Sequence, residues 1–228
     1  PIKYHNVVAT IKGSQYPDEY VIVSGHLDAY DVATGGVDCG TGIAPMMEAA
    51  RLIALSGAKP KRTILFVGFA GEEFGLLGAK AFCERHKDKL GKIANLFNRD
   101  GGPTPPVGIS VPKAMYDDFV EICKPIKEIN PEYPFEVTVA QPRKKPTTMG
   151  GTDASVFAVK GVPTYGFREQ DFKGYNFNYG EIWHTERDLY TKSIPEYMEH
   201  TSVVTAIVAL GVANLKHQLS REGMYTDQ

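Results

Sequence analysis

The chain has 228 residues, 43% of them apolar, and sets 25 Lys and Arg against 27 Asp and Glu. That length and apolar share suit one large domain around a single core, while the near balance of charge offers no basic field to nucleic acid. No apolar run reaches the roughly 18 residues that mark a membrane span. Cys39, Cys83 and Cys123 are odd in number and lack CxxC spacing, which argues against a disulfide framework and against a thiolate zinc site. Cys83 and Cys123 read as buried free thiols. The compact basic run Arg143-Lys144-Lys145 lies between Pro142 and Pro146 and reads as a solvated loop.

The first residue is Pro1, and a β-rich run follows almost at once, so the chain reads as the C-terminal part of a longer precursor. Residues 7–11 and 20–24 are β-rich and flank a turn-rich stretch, a pattern that predicts a hairpin. From residue 42 to 56 the apolar positions fall at helical intervals, with Gly57 as the C-cap. A buried-type strand over 63–69 follows, then a helix over 76–86 and a short strand over 93–97. Tyr116, Phe119, Val120 and Cys123 mark another amphipathic helix, and 135–139 another strand. A helix over 153–159, a strand over 162–167 and a long helix over 195–219 complete the order. Between the last two, the aromatic stretch 172–183 reads as a loop over a site. This alternation predicts an α/β fold, a three-layer sandwich with a mixed, largely parallel central sheet flanked by helices.

Charged residues cluster just beyond the predicted strands, where open α/β sheets place their chemistry. Glu72 and Glu73 follow strand 63–69, His26 and Asp28 follow strand 20–24, and Asp100 follows strand 93–97. Asp38 stands in the glycine-dense stretch 35–42, and His184 far along the chain. Taken singly each has an ordinary alternative: His26 as a loop or core histidine, Asp38 as a helix N-cap, the glutamates as a charged first turn, Asp100 as a turn residue or arginine partner, His184 as a loop histidine. Taken together, two imidazoles and three carboxylates without thiolates suit zinc in an open site. Adjacent glutamates let one carboxylate bind metal while the other moves a proton.

The order of these motifs resembles the co-catalytic zinc exopeptidases, the family of bacterial secreted aminopeptidases and glutamate carboxypeptidases. Within them it is most like the plasma glutamate carboxypeptidase branch. The resemblance runs from His5-Asn6-Val7-Val8 through Gly25-His26-Leu27-Asp28 and the double glutamate to Gly151-Thr152-Asp153 and Gly161-Val162-Pro163. It implies two zinc ions per chain, with His26 and Asp100 on one, Glu73 and His184 on the other, and Asp38 bridging. It further implies Glu72 as general base, Asp28 supporting His26, and a cis peptide bond at Asp38-Cys39. One departure is Cys39, where the family commonly has a second acidic residue. Short peptides, dipeptides foremost, are the implied substrates, and a secreted or periplasmic location the implied address. Asp153, Tyr175, Phe177, Tyr179 and Trp183 are the candidate substrate-binding residues. A homodimer is the candidate assembly. Two alternatives stand beside this reading: a one-zinc glutaminyl cyclase, and an inactive receptor-type domain on the same scaffold.

Overall fold

The computed structural model describes residues 2–226. Its main sheet has the order β1 (Val7–Ile11), β3 (Arg62–Phe69), β2 (Tyr16–His26) and β4 (Ile93–Asn98), in which β2 runs parallel to both neighbours and β1 is antiparallel at the edge. A smaller sheet joins β5 (Pro106–Val111) to β6 (Glu136–Val139) in parallel and to β7 (Phe167–Glu169) antiparallel. The helices are α1 (Gly40–Leu55), α2 (Leu77–Arg85), α3 (Lys113–Ile129), α4 (Ala154–Ala158) and α5 (Pro195–Asn214).

Period-two alternation divides the core between two faces. Val21, Val23, Ile64 and Phe66 pack with Met46 and Ile53 of α1, Phe119 of α3 and Val208 of α5. Ile22, Val67, Phe69 and Leu96 point the other way, onto Ala79 and Phe82 of α2 and Val156 and Phe157 of α4. The result is an α/β sandwich of mixed sheets between helical layers, as the alternation of elements predicts. All three cysteines are free and buried. No described helix is long and apolar enough to cross a membrane.

The expected hairpin does not form, because β3 lies between β1 and β2. Gly13 is the crossing point. A Cβ there would come within 2.7 Å of the Thr63 nitrogen, so only glycine lets the chain pass over the start of β3. Ser14 and Tyr16 then donate their amides to the Pro60 and Lys61 carbonyls, and the chain returns as β2 on the far side. The expected strand over 162–167 is also modified. Its first residues lie beside β4, held by Leu96 N–H to Pro163 O at 2.9 Å and by the Asn95 amide, which bonds both the carbonyl and the N–H of Tyr165 at 3.0 Å. A side chain thus replaces the ladder, and regular pairing begins only at Phe167. Helix α5 stops at Asn214 instead of 219. The Asn214 carboxamide accepts from Lys61 N–H, and the Leu215 carbonyl accepts from Arg62, which holds Leu215 extended.

Candidate active site

Three parallel strands end side by side, and each delivers charge to the same edge. His26 is the last residue of β2, Glu72 and Glu73 follow β3, and Asp100 follows β4. The His26 ring is nearly inaccessible, with Nδ1 on the Asp28 carbonyl at 2.9 Å and Nε2 between Asp38 Oδ1 at 2.9 Å and Asp100 Oδ1 at 3.2 Å. Across the cleft, His184 Nε2 pairs with Glu73 Oε2 at 3.0 Å. Donor atoms of His26, Asp38 and Glu73 all lie within 4.8 Å of one another, so Asp38 is within reach of ligands from both histidine clusters.

The surrounding backbone is fixed by hydrogen bonds that ordinary secondary structure leaves over. The Asp28 carboxylate accepts the amides of Glu72 at 3.0 Å and Glu73 at 3.1 Å, setting both glutamates against the end of β2. Pro45 has no N–H, so the Thr41 carbonyl one turn earlier in α1 is free, and Arg99 Nε donates to it at 3.0 Å. The Thr41 hydroxyl lies within 2.8 Å of Val37 O and 2.9 Å of Gly101 O, tying the Asp38 segment to the Asp100 turn. The Asp38-Cys39 bond is cis, as the resemblance implies. Cys39 Sγ donates to Arg99 O at 3.1 Å and lies within 4.8 Å of donor atoms of His26 and Asp100.

These contacts set opposing electrostatics. Burial disfavours a charged His26, but Asp100 and Asp38 outweigh it and hold the imidazole well above its usual pKa. Asp38 is pushed up by burial and pulled down further by His26 and the Tyr179 hydroxyl, and ends below the ordinary carboxylate value. Glu72 goes the other way, to about 8, through burial and then the neighbouring charge of Asp100, with Asp153 and Glu73 adding to it. Glu73 is likewise raised, by burial and by Asp38.

Residues 6–208 match the profile of peptidase family M28. The chain belongs to that family. Carboxypeptidase Q of Mus musculus is 34% identical over 216 residues, which is 95% of this chain and 43% of that protein. The crystal structure of a peptidase M28 precursor from Shewanella amazonensis superposes with a TM-score of 0.77 at 31% identity, over 94% of this chain and 46% of that one. BSAP, a zinc aminopeptidase from Bacillus subtilis, shares the fold with a TM-score of 0.69 at 19% identity, over 97% of this chain and 53% of that one. The M28 chain described here thus spans less than half the length of the carboxypeptidase Q it matches.

The donor set of this M28 chain fits zinc. His26 lies with Asp38, Asp100 and Glu73, His184 pairs with Glu73, and Glu73 Oε1 is buried with no hydrogen-bond partner, an orphan of the kind a cation satisfies. The cleft above them encloses about 610 Å³ and is walled by Leu76, Met149, Thr152, Tyr179 and Trp183. Asp153, expected among the substrate-binding residues, does not line the cleft: it is 1% exposed with both carboxylate oxygens unpartnered, and burial lifts its pKa to about 7. Of the aromatic residues expected over the site, Tyr179 and Trp183 line this cleft. Tyr175 and Phe177 do not: they line a second cavity with Ile194 and Glu196, and the Tyr175 hydroxyl bonds to Glu196. The Asp171 carboxylate accepts the amides of Gly174, Tyr175 and Asn176 and turns that part of the loop toward α5.

Sequence reasoning missed two supports. Asp188, 1% exposed, accepts Val37 N–H at 2.6 Å and Asp38 N–H at 3.2 Å, so it sets the backbone that carries the central carboxylate. Tyr30 stacks on the His184 ring at 4.1 Å and 5°. The acid-rich run Glu186-Arg187-Asp188 beside His184 is the one sequence signal for the first; nothing in the sequence marks the second.

Proposed function

We propose that this chain is the catalytic core of a zinc exopeptidase that hydrolyses short peptides, dipeptides foremost, and holds two zinc ions. His26 and Asp100 would hold one ion, Glu73 and His184 the other, and Asp38 both. Bound zinc supplies Lewis acidity and a water of lowered pKa. Glu72 acts as general base and acid, taking the proton of the attacking water and passing it to the leaving amine. Its pKa of about 8 lies close to neutral pH, and Asp100 and Glu73, two of the charges that raise it, belong to the ligand set. Asp28 is a positioning residue: its carbonyl fixes the His26 ring and its carboxylate orients the Glu72-Glu73 turn. A secreted or periplasmic site of action is part of the same proposal, resting on the family resemblance.

The observation that carries this reading is the central place of Asp38, within one small shell of donors drawn from both histidine clusters. The test is a mass-spectrometric screen of the zinc-loaded chain against dipeptides and tripeptides. Release of terminal residues supports it. Loss of ammonia from peptides with N-terminal glutamine, without hydrolysis, would point to a cyclase instead. No turnover by zinc-replete protein would contradict both.

A further inference from the structure

Lys80 is the only lysine or arginine among the residues lining the cleft. The remaining charges there are the carboxylates of Asp38, Glu72, Glu73 and Asp100 and the imidazole of His184. With the proposed zinc ions bound, Asp38, Glu73 and Asp100 are taken up by metal, and Lys80 is the protein's one permanent side-chain cation in the lining to meet a carboxylate away from the metals. Lys80 is exposed in the first turn of α2, and its Nζ donates to Gly75 O at 2.7 Å, which holds the ammonium on the rim that carries Glu72. Two further N–H donors remain on that ammonium. Three backbone donors at this helix start are already taken. The amides of Leu77, Gly78 and Lys80 are already bonded to Gly71, Ala70 and Leu76 carbonyls at 3.0, 2.8 and 3.0 Å. The nearby Arg99 is also committed, bonded to Thr41 O, Thr104 O and the Glu169 carboxylate.

We propose that Lys80 is a specificity-determining residue that binds a carboxylate on the leaving-group side of the scissile bond, and so favours dipeptides with a free C-terminus over longer or amidated peptides. This rests on the peptidase reading of the same cleft. In a dipeptide the α-carboxylate belongs to the residue whose amine departs, so a cation on the cleft rim meets it only when the chain ends there. In a longer peptide that position is a neutral amide.

The test compares Leu-Gly, Leu-Gly-amide and Leu-Glu-amide on the zinc-loaded chain and its Lys80→Met and Lys80→Arg variants. A charge-assisted hydrogen bond predicts a preference in kcat/KM for Leu-Gly over Leu-Gly-amide of about tenfold or more, reduced to about twofold in Lys80→Met and restored in Lys80→Arg. If Leu-Glu-amide shows the Lys80-dependent gain instead, the carboxylate read is that of an acidic side chain. Binding is followed separately by fluorescence of Trp183, the only tryptophan of the chain and part of the cleft wall. The probe is Leu-Gly with its peptide bond reduced to a methyleneamine, which no hydrolase can cleave. Its affinity should fall about tenfold in Lys80→Met. Failure of wild type to hydrolyse any of the three peptides would reject the peptidase reading, while the binding arm still judges Lys80. Equal ratios and equal analogue affinity in wild type and Lys80→Met would overturn the proposal.

Discussion

His26 and His200 are both buried, each 2% exposed, and they behave in opposite ways. His26 has its Nδ1 on the Asp28 carbonyl and its Nε2 on Asp38 and Asp100, and burial, which disfavours its charged form, is outweighed by Asp100 and Asp38. His200 lies on α5 with its Nδ1 bonded to the Asn130 amide at 2.9 Å and its ring stacked on Tyr133 at 4.0 Å. Burial lowers its pKa to about 4, and the nearest charges, Glu132 and Lys173, act in opposite directions. Burial alone therefore does not make a histidine functional. What separates the cleft from the core is that its carboxylates outnumber the imidazoles and the one lysine that face them, in a setting that backbone hydrogen bonds hold in place.

The sharpest way to break this contrast is Glu72→Gln. The amide keeps the shape but cannot accept a proton, so turnover should fall by about 10²–10⁴ while zinc content and thermal unfolding stay at wild-type values. Stopped assays with metal analysis on the same sample check it, and near wild-type turnover would remove Glu72 from its role.

A smaller effect is expected from Asp188→Ala, which leaves the Val37 and Asp38 amides buried and unpaired. Stability should drop by about 3 kcal/mol in urea unfolding, and zinc affinity by about 10–100-fold, because the support of the central carboxylate is lost. Asp188→Asn, which keeps an acceptor, should fall in between.

On the core side, pH separates the two histidines. The unfolded state binds a proton at His200 near 6.5, whereas the folded state waits until about 4, so the stability this residue contributes is full above 6.5 and is lost as pH falls toward 4. Unfolding at pH 5 should show a loss of about 2 kcal/mol from this residue. His200→Phe should flatten that part of the profile, and an unchanged slope would remove His200 as its source.

The fold and the site were not equally legible. Strands β2, β3 and β4 are readable because Val21-Ile22-Val23, Ile64 to Phe69 and Ile93 to Phe97 are buried on both faces and end in charge. The order of β1 was not, since the close approach at Gly13 depends on where Lys61 and Thr63 lie, and a turn-rich sequence serves a hairpin or a crossing equally well. Strand β5 escaped because Pro106 and Gly108 read as loop residues, although the segment is buried and paired on both sides. At the site, His26, Asp38, Glu72, Glu73, Asp100 and His184 were readable from chemistry and order, and the fold brings them to one cleft. Tyr175 and Phe177 were misplaced because an aromatic residue in a loop carries no direction, and Asp171 supplies it. Tyr30 and Lys80 are ordinary residue types whose meaning comes only from what they face, and Asp188 is marked in the sequence only by its acid-rich run beside His184.

In the proposed site Asp38 lies between two metal ions. Crystals of the chain grown with zinc, with anomalous differences collected on both sides of the zinc absorption edge, test it directly. Two peaks should flank Asp38, one against His26 and Asp100 and the other against Glu73 and His184; a single peak, or peaks that leave Asp38 uncoordinated, would overturn the shared role of Asp38.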